Sequence, residues 1–122
     1  YRLDIDYHAT EMPHGRAYSE EMMGGTPEEL PEKYDNASPG RFIDQIRGQV
    51  MVVHGLADSN VGPENTHVAL RELAAAGIPH ESLLFDNEGH GIFRRSNVAT
   101  YLRQATDFLF KAFRATNGQT SA

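Results

Sequence analysis

Val98, Tyr101, Leu102, Ala105, Phe108, Leu109, Ala112 and Phe113 follow the i, i+3, i+4, i+7 spacing of one helical face. This stripe predicts a long helix laid on a core. Gln49-Val50-Met51-Val52-Val53-His54 is a different pattern, an apolar run without alternation between Gly48 and Gly55. Such a run predicts a strand buried on both faces, as in a parallel sheet. Between the two, Val68, Leu70 and Leu73 face inward and Arg71 and Glu72 outward on a helix from about Pro63 to Ala76. Gly77 stands where a left-handed cap ends a helix, and Pro79 prevents its resumption. Glu81-Ser82-Leu83-Leu84-Phe85-Asp86 reads as a second strand.

The amino-terminal third is less regular. Tyr1 to Tyr7 alternates only in part, and His8 to Arg16 reads as loop. Thr26-Pro27-Glu28-Glu29 has a cap residue, a first-position proline and acidic residues suited to the positive helix end. It predicts a helix ending before Ser38-Pro39-Gly40. Phe42, Ile43 and Ile46 suggest one more brief helical turn. Thr116 to Ala122 is small and polar, so residues 1–115 are read as the folded portion and 116–122 as a disordered tail.

Strand, helix, strand, helix with short loops predicts a right-handed βαβ unit, an α/β fold of parallel strands with flanking helices. Parallel strands deliver their following loops to one edge, and neighbouring strands lie only about 4.8 Å apart. Residues on those two loops can therefore meet. The first loop is His54-Gly55-Leu56-Ala57-Asp58-Ser59-Asn60-Val61, and the second Asn87-Glu88-Gly89-His90-Gly91-Ile92. Asp58 can accept a hydrogen bond from Nδ1–H of His90, leaving the other ring nitrogen to take a proton from a nucleophile. Imidazole suits the task, because its ordinary pKa of about 6.5 lets it act as base and then acid near neutrality. The order acid before histidine is that of α/β-hydrolases. No serine of the chain sits in G-x-S-x-G, so the nucleophile is expected upstream of Tyr1 and the chain alone is expected to be inert.

Composition narrows the field. Hydrophobic residues are 39% and charged residues 23%, which excludes a disordered or collagen-like chain. No run approaches the roughly 18 apolar residues of a membrane span. A formal charge of −6 with no basic stripe argues against nucleic acid as a partner. Cysteine is absent, so no disulfide framework or thiolate chemistry is expected, and the compartment stays open between cytoplasm and periplasm. His8, His14, His67 and His80 lack metal-ligand spacing, and no metal or organic cofactor is expected. Tyr1 in place of Met reads as the start of a processed or truncated chain.

HGLADSNV, then EGHGI, preceded by AYSEEMMGGTPEE, together resemble the catalytic end of the prolyl oligopeptidase family of serine peptidases. The dipeptidyl aminopeptidase and acylaminoacyl peptidase branches are the nearest in pattern. The likeness runs from about Tyr18 to Phe113 and implies the C-terminal part of an α/β-hydrolase domain that cleaves short peptides. It implies Asp58 and His90 as triad acid and base, and Asn60 as a ligand of a substrate carbonyl. It further implies Val61 and Tyr18 as residues lining the pocket for the side chain before the cleaved bond. Met22 stands where those enzymes carry a second pocket tyrosine. The serine elbow, the oxyanion donors and the β-propeller of that family have no counterpart in these residues.

Two other readings stay open at this point. One is an esterase or acyl hydrolase of the same fold, since the acid–base end does not read the leaving group. The other is a non-catalytic α/β module binding a ligand at its carboxyl edge. Asp58 alone would read as a cap, His90 alone as a turn residue, His54 as a hydrogen-bonded strand end, and the last helix's stripe as core. The unpaired strand edges are expected to need the upstream segment of the same protein or self-association.

Overall fold

The computed structural model describes residues 1–120, with side chains described through Ala115. Among the described residues, five α-helices, a 3-10 helix and two strands follow in the order α1 (Leu3–Ala9), α2 (Gly15–Met23), α3 (Pro31–Asn36), the 3-10 helix (Pro39–Gln45), β1 (Val50–Gly55), α4 (Pro63–Ala75), β2 (His80–Phe85) and α5 (Arg95–Thr120). The strands pair in parallel with Val50 opposite His80 and Gly55 opposite Phe85. Helix α4 crosses between them and packs on both, which is the βαβ unit expected from the pattern. Its end is a double-bonded glycine cap. Gly77 takes φ +68°, Ile78 N–H donates to Leu73 C=O at 3.0 Å, and Gly77 N–H donates to Ala74 C=O at 3.1 Å.

The amino-terminal third departs from the reading of its pattern. Tyr1–Tyr7 is mostly helix, and the stretch read as loop from His8 to Arg16 holds the end of α1 and the start of α2. A seven-residue helix is marginal alone. Its stabilising partners are distant in the chain: Ser38 Oγ accepts Leu3 N–H at 2.9 Å, and Asn65 Oδ1 accepts Arg2 N–H at 2.8 Å. Arg16 closes the other end by donating to the carbonyls of Tyr7 and His8 at 3.0 and 2.9 Å. Thr26 does cap, since Glu29 N–H donates to Thr26 Oγ1 and Thr26 N–H to Glu29 Oε1. That turn stops at once, because Pro31 disfavours the helical region for Leu30, which sits at φ −131°. The helix expected from Pro27 therefore begins at Pro31.

The core is small and partly polar. Tyr34, Ala69, Leu73 and Phe85 are buried, together with Ser38, Asp58, Asn65, Thr66 and Glu88. Among the described residues no buried side-chain polar atom lacks a hydrogen-bond partner. Strand β1 is half-buried except at Gly55, not buried on both faces as its composition predicts. A sheet two strands wide, with α4 against it, leaves the rest of that apolar surface partly open. The stripe of α5 likewise fails to form core here. Leu102, Leu109 and Phe113 are exposed, Phe113 by 66%, and Phe110 beside them is exposed too. Periodicity marks a face as apolar without supplying what covers it. Helix α5 runs through Thr120, past the boundary expected at 115; of the expected tail, residues 121–122 lie outside the described residues. No helix among the described residues is long and apolar enough to cross a membrane.

Candidate active site

The two loops at the carboxyl ends of β1 and β2 are bound to one another by backbone. Leu56 N–H donates to Phe85 C=O at 2.8 Å and Ala57 N–H to Glu88 C=O at 2.9 Å. Gly55 makes the approach possible. A Cβ there would lie 2.3 Å from the Gly89 carbonyl oxygen and 2.5 Å from that of Glu88, inside any tolerable contact with rigid backbone. The pair of loops thus meets only because the strand ends in glycine.

Asp58 sits at this junction with its side chain only 3% exposed. Its Oδ1 accepts the N–H groups of Asn60 at 2.8 Å and Val61 at 2.9 Å, the local turn that Asp commonly makes with its own following backbone. Its Oδ2 accepts from His90 Nδ1 at 2.9 Å and from His54 Nε2 at 3.2 Å. Four donors fill the four acceptor positions of a carboxylate. Burial pushes the Asp58 carboxyl up, but the hydrogen bonds from Val61, His90, Asn60 and His54 outweigh it and hold the group below the usual carboxylate range.

His90 is the open member, 60% exposed. Among the described residues its Nε2 has no hydrogen-bond partner, while Nδ1 is held by the carboxylate. A ring fixed by one nitrogen and free at the other can take and return a proton at that free position. It lines a cleft of about 420 Å³ with Val61, Val53, Asn65 and Ile92. Tyr18, 65% exposed, and Asn60 share the wall of a second cavity of about 740 Å³ with Met12, Met22 and Asp6. The structure therefore brings Asp58 and His90 into contact, sets Val61 beside them, and joins Tyr18 to Asn60 across the other cavity.

Two residues of this region make contacts beyond those their place in the sequence pattern implies. His54 was expected to be a hydrogen-bonded strand end, and it is hydrogen-bonded, to the acid itself. The signal was its place four residues before Asp58, across a turn tight enough for Asp58 N–H to reach Gly55 C=O. Glu88 is buried, and its Oε2 accepts Phe93 N–H, Arg94 N–H and Asn97 Nδ2–H at 3.2, 2.9 and 3.0 Å. Burial pushes the Glu88 carboxyl up, yet these donors, Asn97 foremost, hold it below its ordinary value. It ties the His90 loop to the start of α5, and its letter in EGHGI was the available cue. No group of three or more His, Cys, Asp or Glu among the described residues could hold a metal ion.

Comparison with known proteins now bears on this geometry. The family model described as the prolyl oligopeptidase family matches residues 3–116. The chain belongs to the prolyl oligopeptidase family. It is 26% identical over 94 residues to YtmA, an uncharacterized peptidase of Bacillus subtilis, covering 77% of this chain and 36% of that one. It is 30% identical over 92 residues to venom dipeptidyl peptidase 4 of Apis mellifera, covering 74% of this chain and 12% of that one. The crystal structure of Porphyromonas gingivalis dipeptidyl peptidase 4 superposes with a TM-score of 0.66 at 28% identity, over 71% of this chain and 12% of that one. This prolyl oligopeptidase family member thus spans about a third or less of each of these relatives' length. Its parallel strands and flanking helices are those of the α/β-hydrolase fold.

Proposed function

We propose that this chain carries the acid and the base of a Ser-His-Asp peptidase whose serine lies outside these 122 residues. The observation that carries the reading is the 2.9 Å hydrogen bond from His90 Nδ1 to the buried carboxylate of Asp58, with Nε2 of the same ring left without a partner among the described residues. In the reaction, Nε2 takes the proton of the serine hydroxyl as its oxygen attacks the scissile carbonyl. The imidazolium so formed is stabilised by Asp58 and returns its proton to the leaving amine. The resulting acyl-enzyme is hydrolysed when His90 takes a proton from water.

On this reading Asn60 holds a substrate carbonyl and Tyr18, on the wall of the same cavity, lines the pocket for the side chain before the cleaved bond, while Val61 lines the neighbouring cleft at His90. Met22 on the same cavity wall as Tyr18 makes that pocket softer and more adaptable than an aromatic pair would. The serine-bearing segment would also cover the open side of β1 beside the cleft. Peptide substrates are favoured over simple esters because the relatives matched are named as peptidases.

The test is hydrolysis by the full-length protein of dipeptidyl aminomethylcoumarins against matched aminoacyl esters. Turnover of the amides, lost in His90→Ala, is expected. Ester turnover without amide turnover would replace the peptidase reading with an esterase, and turnover of neither would replace it with a binding module.

A further inference from the structure

Asp58 carries two imidazoles, and the triad logic uses only one. His54 Nε2 lies 3.2 Å from the same Oδ2 that His90 Nδ1 approaches, and His54 Nδ1 lies 2.7 Å from Thr66 Oγ1. His54 sits on β1 and Thr66 in the first turns of α4, so both are held by the βαβ scaffold and not by the loops. Thr66 is buried and the His54 side chain is only 12% exposed.

Hydrogen-bond chemistry fixes the direction of this chain of contacts. An ionised carboxylate oxygen only accepts, so His54 must carry its proton on Nε2. In a neutral ring Nδ1 is then an acceptor, and the Thr66 hydroxyl is the donor that meets it. The chain runs Thr66 O–H to His54 Nδ1, then His54 Nε2–H to Asp58 Oδ2, where it meets His90 Nδ1–H from the other side. Were the His54 tautomer reversed, its lone pair would face the carboxylate and repel it.

We propose that His54, oriented by Thr66, is a positioning residue that locks the Asp58 carboxylate so that Oδ2 faces His90 and keeps that ring in the Nδ1–H tautomer. Oδ1 is already anchored by the Asn60 and Val61 amides. Without His54, the only other group on Oδ2 among the described residues is an imidazole that is itself more than half exposed. A ring that open to solvent is a weak anchor for the group that is meant to orient it. The anchored donor from β1 removes that circularity. This role deepens the peptidase reading and rests on it for its catalytic consequence.

Nitrogen-15 shifts of the imidazoles in the histidine-labelled full-length protein, with the His90 signals assigned by their loss in His90→Ala, read the tautomer directly and need no turnover. Wild type and His54→Gln, whose carboxamide keeps a donor near the Nε2 position, are expected to hold His90 chiefly as Nδ1–H. His54→Leu is expected to shift His90 toward the Nε2–H form. Thr66→Val, nearly isosteric, should do so in part, and Thr66→Ser should not. In the full-length enzyme, kcat for His54→Leu should fall about tenfold, the weight of one hydrogen bond to a charged group, with KM unchanged and recovery in His54→Gln. Thr66→Val decides the matter if His54→Leu does not give the wild-type amide spectrum. A His90 that keeps its Nδ1–H form in the folded leucine and valine variants overturns the proposal. A wild-type His90 without that form overturns the proposal and the peptidase reading together. An intact tautomer pattern beside an enzyme without amide turnover supports the positioning role and removes only the peptidase reading.

Discussion

The junction of the two loops and the exposed apolar stripe of α5 are opposites in how far they complete themselves. At the junction every lone pair of Asp58 is used, the backbones touch at Gly55, and Glu88 braces the far side. Along α5, Leu102, Leu109, Phe110 and Phe113 present aromatic and aliphatic surface to solvent. Polar geometry is satisfied within the chain, whereas apolar surface awaits cover. The difference teaches that a buried carboxylate and its histidine partner can be preorganised by one βαβ unit even where that unit buries little of its own hydrophobic surface. Hydrogen bonds to a carboxylate need only a few nearby donors, while burying a stripe needs a whole opposing layer.

The largest effects should appear where the junction is broken. Replacement of His90 by Ala in the full-length enzyme should lower kcat by about a million-fold, and Asp58→Asn by about ten-thousand-fold, as expected when the base is removed or left in the wrong tautomer. Steady-state kinetics on a peptide amide checks both, and equal losses would mean that the carboxylate does more than orient. Tyr34, buried and donating to Gly25 C=O at 2.9 Å, anchors the folded side of the comparison. Tyr34→Ala should destabilise the chain by about 3–5 kcal/mol in urea unfolding.

Gly55→Ala should cost about 1–3 kcal/mol, because a methyl group must enter space held by the Gly89 and Glu88 carbonyls. The same variant should weaken the Asp58–His90 contact, visible as a loss of activity beyond the loss of stability. The acid limb gives a subtler reading. Asp58 is held below its ordinary value, so its ionised form favours the folded state. That contribution is complete above the unfolded value of about 3.9 and is lost as pH falls through the lower folded value. Thermal unfolding followed by circular dichroism should therefore decline less steeply below about pH 4 in Asp58→Asn than in wild type. The smallest stability effect belongs to α5. Phe113→Ala should change unfolding by no more than about 0.5 kcal/mol, while reducing any self-association seen by light scattering. A Phe113 variant as damaging as Tyr34→Ala would erase the contrast.

What was legible along the chain follows the same division. Strand, helix and glycine cap from Val50 to Phe85 depend on local pattern, and they form where that pattern puts them. Asp58 and His90 could be paired from topology, because parallel strands bring their following loops to one edge. Helix α1 could not be read, since the groups that cap it, Ser38 and Asn65, lie far along the chain. The end of the turn at Thr26 was written in Pro31 but outweighed by a cap motif that is itself formed. His54 was visible only as a strand end, because its contact with Asp58 exists only once the chain turns back after Gly55. The uncovered stripe of α5 marks the other limit: periodicity finds a face and says nothing of its partner.

The central claim is that His90, oriented by Asp58, is the base of a serine hydrolase. Labelling of the full-length protein with a fluorophosphonate probe, located by peptide mass spectrometry, tests it most directly. The account predicts one labelled serine outside these 122 residues, with labelling lost in His90→Ala. No labelling of the folded wild-type protein, or labelling that persists unchanged in His90→Ala, would contradict it.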